Sequence, residues 1–530
     1  MALPQLCIEL HLGLDTTSVI GIKKSRIELF AGKRKDTVKL FTIGDSISQG
    51  FMSGGAAKPQ FSFGTLLANA IHDREYSYLR WSPAHHLKVD LEFVLRALEK
   101  EYGSDIQGLE WACAIKSIAR ILDEAEDYFE RGEGKIGNPV GAATHVDSYF
   151  QNVAVEGMDV GDAWMVTPQL CKSMVAHRAN RRHRRDNLFA PASDSFYRNA
   201  YRVLNPYGTP KDDQYGLFSP LQWLDYHCRR DDGIQNTTVW LGGNNALATV
   251  VNLNIRQTSG DGRIVRMSRP KRREYNLWHP RDFDIEYSHM MNLVDRSMRA
   301  NRNPDWRVFV GTIPLVTIAP FAKGLGDVHV VDEVIDGKSR QAAYYEYYSY
   351  FMFSLENALR SGKYLTFSDA RFIDATIQQF NQTITSKVDE LNRSHGAYRY
   401  HVVDISTVLS ELAWKRNMGN PTYQLPHELR VLTPPVNTRY YHASREGRIQ
   451  DGGVFSLDGI HPTAIGQGII AWEFLKAMQK AGAVDSTAAL NWDAIVATDT
   501  LRQNPICLMS EWHEHEQLIN FVCDVIRLVR

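Results

Sequence analysis

The sequence predicts an α/β fold, a three-layer sandwich in which helices cover both faces of a mainly parallel sheet of about five strands. Two observations predict it. Five short runs are rich in β-branched residues and almost continuously apolar, which is the pattern of strands buried on both faces. Between them lie stretches whose apolar residues recur every three or four positions, the signature of an amphipathic helix. Strands that alternate with helices build parallel sheets.

The five runs are 38–43 (VKLFTI), 152–155 (NVAV), 237–241 (TTVWL), 307–312 (RVFVGT) and 400–405 (YHVVDI). Helices are expected in the gaps. In 87–102, Leu91, Val94, Leu95 and Leu98 share one face, and 116–131 repeats the pattern with Ile118, Ile121, Leu122, Ala125 and Phe129. Residues 342–360 are aromatic-rich and are expected to be helical, with Gly362 as the cap. Residues 375–394 carry Ile377, Phe380, Ile384, Val388 and Leu391 on one face, and a last helix is expected over 464–478. The spacing between strands is uneven. It reads as one core with insertions at about 72–148, 160–235, 256–305 and 323–396, inside a unit spanning 38–484. Residues 1–37 and 485–530 are expected to be extensions of that unit.

Composition sets the broad class. At 530 residues, with Lys+Arg 60 against Asp+Glu 61, the chain is long enough for a large core and carries almost no net charge. That balance argues against a protein built to coat nucleic acid or anionic membrane, and no nucleic-acid partner is expected. Hydrophobic residues at 44% and charged residues at 23% exclude disordered and collagen-like classes. The six cysteines are Cys7, Cys113, Cys171, Cys228, Cys507 and Cys523, none in a C-x-x-C pair, so isolated thiols are expected. The N-terminus has no basic region before an apolar run, and the apolar stretch 308–322 is short and holds Pro314 and Pro320. Neither a signal peptide nor a transmembrane helix is expected, and a cytoplasmic location follows as the default. The sequons at Asn236 and Asn381 are the kind that arise by chance.

Four fragments carry chemistry. The first run leads into Gly44-Asp45-Ser46. A serine at the C-terminal end of a parallel strand lies where open α/β sheets bind ligands, although an isolated match also fits a helix-capping serine. Near the other end stands Asp458-Gly-Ile-His461-Pro462. A serine hydroxyl needs a base, and that base needs a group to fix its tautomer. Asp458 and His461 are spaced to meet within one turn, while the plainer alternative is a capping aspartate and a surface histidine. Two more fragments follow strand runs: Asn152-Val-Ala-Val-Glu-Gly157 and Gly242-Gly243-Asn244-Asn245. A glycine presents its N–H without a blocking side chain and an asparagine presents its amide, as a developing oxyanion requires. Each also fits an ordinary turn.

Taken in order, the four fragments resemble the conserved blocks of the SGNH (GDSL-type) hydrolases. The resemblance implies Ser46 as nucleophile, His461 as base and Asp458 as its orienting acid. It implies an oxyanion hole formed by the N–H groups of Ser46 and Gly157 and the Asn244 amide. A serine esterase or lipase follows, with an ester or lipid substrate, an acyl-enzyme intermediate and no cofactor or metal. Acyl transfer or sugar-ester deacetylation on the same site is the alternative, and a non-catalytic binding module on this fold is another. Asn245 departs from the family, whose third block commonly has Asp there. The long separation of Ser46 from Gly157 departs from it as well.

The basic runs 178–185 and 269–273 are expected to form solvated faces or to meet an acidic partner patch, with an anionic substrate group as the lesser alternative. His513-Glu514-His515 cannot chelate one ion from one helix face. The aromatic stretch 344–353 suits a buried face or an acyl pocket, and with the chain's size it leans the expected substrate toward a longer acyl ester.

Overall fold

The structure, a computed structural model, describes residues 38–81, 85, 87–106, 110–136, 149–181, 192–205, 212–335 and 338–508. The fold is mixed α/β around a parallel sheet of four strands. The strands used below are β1 (Val38–Gly44), β2 (Ile234–Trp240), β3 (Arg307–Gly311), β4 (Ala322–Ile335), β5 (Lys338–Tyr350) and β6 (Tyr400–Val403). The sheet order is β1-β2-β3-β6, parallel throughout. Leu40, Phe41, Ile43, Val308, Phe309 and Val310 are fully buried, as continuous apolar strands must be.

The run 152–155 is not a fifth full strand. It lies extended along the free edge of β1, with Thr42 N–H donating to Gln151 O at 2.9 Å and Val155 N–H donating to Gly44 O at 3.2 Å. One residue, Asn152, forms a parallel bridge with Thr42. The chain then turns away at Glu156 and Gly157, so the pairing ends.

The helices used below are α1 (Ser46–Gln49), α2 (Phe63–Ala70), α3 (Leu91–Tyr102), α4 (Glu110–Glu130), α5 (Pro280–Arg299), α6 (Leu355–Ser361), α7 (Phe367–His395) and α8 (Ala464–Lys480). Asp90 caps α3 by accepting from Phe93 N–H, and Leu91, Val94, Leu95 and Leu98 are all buried. In α7, Ile377, Phe380, Ile384, Val388 and Leu391 form the buried stripe that the spacing predicts. Adjacent positions of a strand face opposite ways. On β2, Thr237 meets Met298 of α5, whereas Trp240 packs on Phe63 of α2 and Phe474 of α8. Helices therefore contact both faces of the sheet.

One helix expectation fails. Residues 342–350 belong to strand β5, which pairs antiparallel with β4 along most of its length. Tyrosine favours a half-buried pleated surface, and β4 supplies the backbone partners that a helix would have found within itself. Only α6 is helical in that region, and Gly362 ends it in the left-handed conformation. Residues 485–508 pack onto the core, with Trp492, Ile495 and Leu501 buried and Asp499 Oδ2 accepting from Ile465 N–H at 3.2 Å.

Among the described residues, Cys113, Cys171, Cys228 and Cys507 are free thiols. No helix among them is long and apolar enough to cross a membrane. The Asn236 amide donates to Lys39 O at 3.2 Å and the Asn381 amide to Ile313 O at 2.9 Å, so both sequon side chains are engaged inside the fold. The pair His513 and His515, the thiols of Cys7 and Cys523, and residues 182–185 of the first basic run lie outside the described residues.

Candidate active site

Ser46 is the first residue of α1, directly after β1. It does not cap that helix. Asp45 does, accepting from Ile47 N–H at 3.1 Å, which leaves the Ser46 hydroxyl free of a capping role. The turn is tight, and a side chain on Gly44 would overlap the Ser48 hydroxyl. A four-residue helix cannot hold itself, so distant residues hold it. Asn152 Nδ2 donates to Ser48 O at 2.9 Å, and Gln467 Nε2, from α8, donates to Ile47 O at 2.9 Å.

The Asp458–His461 pair is the most densely hydrogen-bonded part of the site. His461 Nδ1 lies 2.6 Å from Asp458 Oδ2, and the ring N–H donates to that carboxylate. The same oxygen accepts from Gly54 N–H at 2.7 Å. Asp458 Oδ1 accepts from the N–H groups of Ile460 and His461, both at 2.8 Å. The helix that follows is capped by Thr463, so Asp458 is no helix cap and buried His461 is no surface residue. Burial opposes ionisation of both groups. The Asp458 charge and hydrogen bond overcome it, and the His461 imidazole is held above its ordinary value. His461 and the backbone donors likewise hold the Asp458 carboxyl below its ordinary range, against its burial.

Gly157 follows the edge segment and has φ of +75°, a conformation that disfavours any side chain. Its carbonyl accepts from Arg269 Nη2 at 2.8 Å. Neither the Gly157 N–H nor the Ser46 N–H has an acceptor among the described residues. Two unsatisfied donors beside a serine suit a negative oxygen.

Asn244 sits in the turn after β2, and its amide is already committed. Nδ2 donates to Met158 O at 2.9 Å and to Asp45 Oδ2 at 3.2 Å. Both of its N–H groups are thus occupied, and the longer bond, to Asp45, is the one more readily exchanged. Burial pushes the Asp45 carboxyl up to about 6. Asn245 is buried, with Oδ1 accepting from Val160 N–H at 3.3 Å, so it steadies the loop that carries Gly157.

Ser46, Gly157, Asn244, Asp458 and His461 all line one small cavity of about 60 Å³, partly open to solvent. A second cavity, of about 80 Å³, shares Ser46, Asn244 and His461. Its remaining wall is mostly aliphatic, with Leu315, Val316, Ile318, Leu409 and Ile470. None of residues 344–353 lines either one. No hydrogen bond joins the Ser46 hydroxyl to His461. Such bonds are often long before substrate binds. No cluster of metal-ligating side chains is found among the described residues.

The surroundings correct one expectation. In the basic run 269–273, Lys271 is exposed as expected, but Arg269 and Arg272 turn inward. Arg272 makes a two-pronged contact with Asp159, at 2.9 and 3.0 Å, and also pairs with Asp162. Arg269 Nε donates to Asp162 Oδ2 at 2.9 Å. These pairs brace the loop that carries Gly157. Sequence reasoning missed them, along with Gly54, Gln49 and the buried Lys88–Glu156 pair. Gln49 exchanges hydrogen bonds with Asn199 and accepts from Glu156 N–H at 2.8 Å. These partners lie far apart in sequence, and no local motif marks them.

No family model matches the chain, and no curated protein matches it. Among solved structures it is similar to an extracellular lipase from Streptomyces rimosus, at 13% identity. That match covers 83% of this chain and 100% of the other, with a TM-score of 0.29, a likeness too slight to carry an argument about fold or activity.

Proposed function

We propose that the chain is a serine hydrolase of carboxylic esters. The observation that carries this reading is one cavity lined by Ser46, Gly157, Asn244 and His461, which come from four separate strand ends or turns. The resemblance of the four fragments to SGNH hydrolase blocks supports it, and so does the saturated Asp458 carboxylate behind His461. The three-layer sandwich belongs to the same reading, supported by the helices that meet both faces of the sheet.

Ser46 Oγ attacks the ester carbonyl carbon while His461 Nε2 takes its proton. Asp458 keeps Nδ1 protonated and offsets the imidazolium charge. The carbonyl oxygen becomes an oxyanion, held by the N–H groups of Ser46 and Gly157. Asn244 joins them by exchanging its bond to Asp45. The C–O bond to the alcohol then breaks, and His461 gives its proton to the leaving oxygen. Water, deprotonated by His461, attacks the acyl-enzyme, and the acid leaves as Ser46 is restored. The aliphatic cavity takes the apolar side of the ester. No cofactor enters the scheme.

The test is hydrolysis of p-nitrophenyl esters of rising acyl length by the wild-type chain and by Ser46→Ala. The reading requires turnover that falls by at least about 10³-fold in the variant. Equal rates for the two proteins would overturn it.

A further inference from the structure

We propose that Arg273 is the binding residue for an anionic group, a carboxylate or a phosphate, carried by the substrate. The word substrate rests on the hydrolase reading above; the anion site itself does not.

Arg273 ends the basic run, and its companions there are all committed. Arg269 and Arg272 point inward to Asp159 and Asp162, and Lys271 pairs with Glu274 at the surface, at 2.8 Å. The backbone N–H of Arg273 donates to Arg269 O at 3.0 Å, which ties its backbone to the turn anchored by Arg269 and Arg272. It lies on the wall of the same cavity as Ser46, Gly157 and His461. Lys88, the other buried cation near that wall, is paired with Glu156. The Arg273 guanidinium makes no hydrogen bond or ion pair with any described residue. Burial and the Arg269 charge disfavour its charged form, and the Asp159, Asp162 and Glu156 carboxylates offset this only in part and only through space.

A partly buried cation without a partner is costly, and a bound anion removes that cost. Guanidinium geometry matches carboxylate and phosphate with two parallel hydrogen bonds. Ser46 and His461 also line the aliphatic cavity. The substrate class this favours is an ester with an apolar group on one side and an anionic group on the other.

The test compares matched pairs on wild type, Arg273→Met and Arg273→Lys. Phenyl acetate against 4-acetoxybenzoate places the anion on the alcohol part. Phenyl butyrate against monophenyl succinate places it on the acyl part. The anionic member of at least one pair is expected to show the higher kcat/KM in wild type. That preference should fall at least tenfold in Arg273→Met and be partly restored in Arg273→Lys. A second arm needs no turnover: calorimetric titration of 4-acetamidobenzoate, 4-acetamidophenyl phosphate and neutral acetanilide. Tighter binding of an anion that is lost in Arg273→Met supports the site, even if no ester is hydrolysed and the hydrolase reading fails. The two anions separate carboxylate from phosphate. Equal binding of charged and neutral compounds, or equal loss of both in Arg273→Met, overturns the site whatever the esterase result.

Discussion

Gly54 donates its backbone N–H to the same Asp458 oxygen that accepts the His461 ring N–H, across 404 positions of sequence. The short hairpin after α1, in which Phe51–Met52 pairs antiparallel with Ala56–Ala57, therefore fixes the orientation of the acid near the far end of the chain. It makes a second contact there, with Ser53 N–H donating to Ser456 Oγ at 2.8 Å. With its backbone donors and His461 in place, the Asp458 carboxylate has little freedom to rotate.

Replacing Asp458 by Asn removes the charge behind His461 and turns one acceptor into a donor. Asp458→Asn is expected to lower kcat for ester hydrolysis by about 10³–10⁴-fold, the scale seen when such an acid is neutralised. Steady-state kinetics check it, with circular dichroism to confirm that the variant folds.

The pH profile follows from the raised His461 value. In the proposed mechanism neutral imidazole is the base, so kcat/KM should rise with pH through a midpoint above the ordinary histidine value. In stability terms the sign is opposite. The pairing with Asp458 favours the protonated form, so its contribution is complete below the ordinary histidine value and fades as pH rises through the folded one. Profiles of kcat/KM from pH 5 to 9 are the measurement, and a midpoint below the ordinary value contradicts the ion pair.

Asp45 predicts a different dependence. Its folded value is raised from 3.8 to about 6 by burial, so ionising it disfavours the fold as pH rises through that range. Asp45→Asn removes this. The stability of the variant relative to wild type should improve by up to ~3 kcal/mol between pH 4 and 7, at 1.36 kcal/mol per unit. Urea unfolding at the two pH values reads it directly.

Gly157→Ala tests the loop donor. Space for a methyl group exists, since the nearest atom to an added Cβ is Arg269 Nη2 at 3.5 Å, but φ of +75° strains any side chain. The strain costs about 1–2 kcal/mol, and relief of it would turn the N–H away. The expected result is a drop in kcat of about 10²-fold with a smaller change in KM.

Arg272→Met leaves Asp159 and Asp162 buried without their main partner. Removing one member of a buried ion pair costs about 3–5 kcal/mol. Chemical denaturation should show that loss, and the Gly157 loop should become the first segment to exchange its amide hydrogens.

Much of this architecture was legible in the sequence because it is local. The four sheet strands are continuous apolar runs, and the Leu91–Leu98 and Ile377–Leu391 stripes follow helical spacing. Asp458 and His461 meet because they stand three positions apart. What stayed hidden depends on long-range partners. Strand β5 looked helical because its pairing partner β4 carries Gly324, Gly326 and several charged residues and did not read as a strand. The 152–155 run is strand-like in sequence but bonds only along the β1 edge before Gly157 turns it. The run 269–273 looked like a solvated face because nothing near it in sequence announces Asp159 and Asp162. Asn244 was expected to hold its amide free, and only the fold shows Met158 O and Asp45 occupying it.

The most direct test of the esterase reading is labelling with a fluorophosphonate probe, which reacts with an activated serine, followed by peptide mapping. The wild-type chain should carry one adduct, on Ser46. Labelling should vanish in Ser46→Ala and fall sharply in His461→Ala. Absence of labelling in the folded wild-type protein, or undiminished labelling in Ser46→Ala, would contradict a hydrolytic role for this cavity.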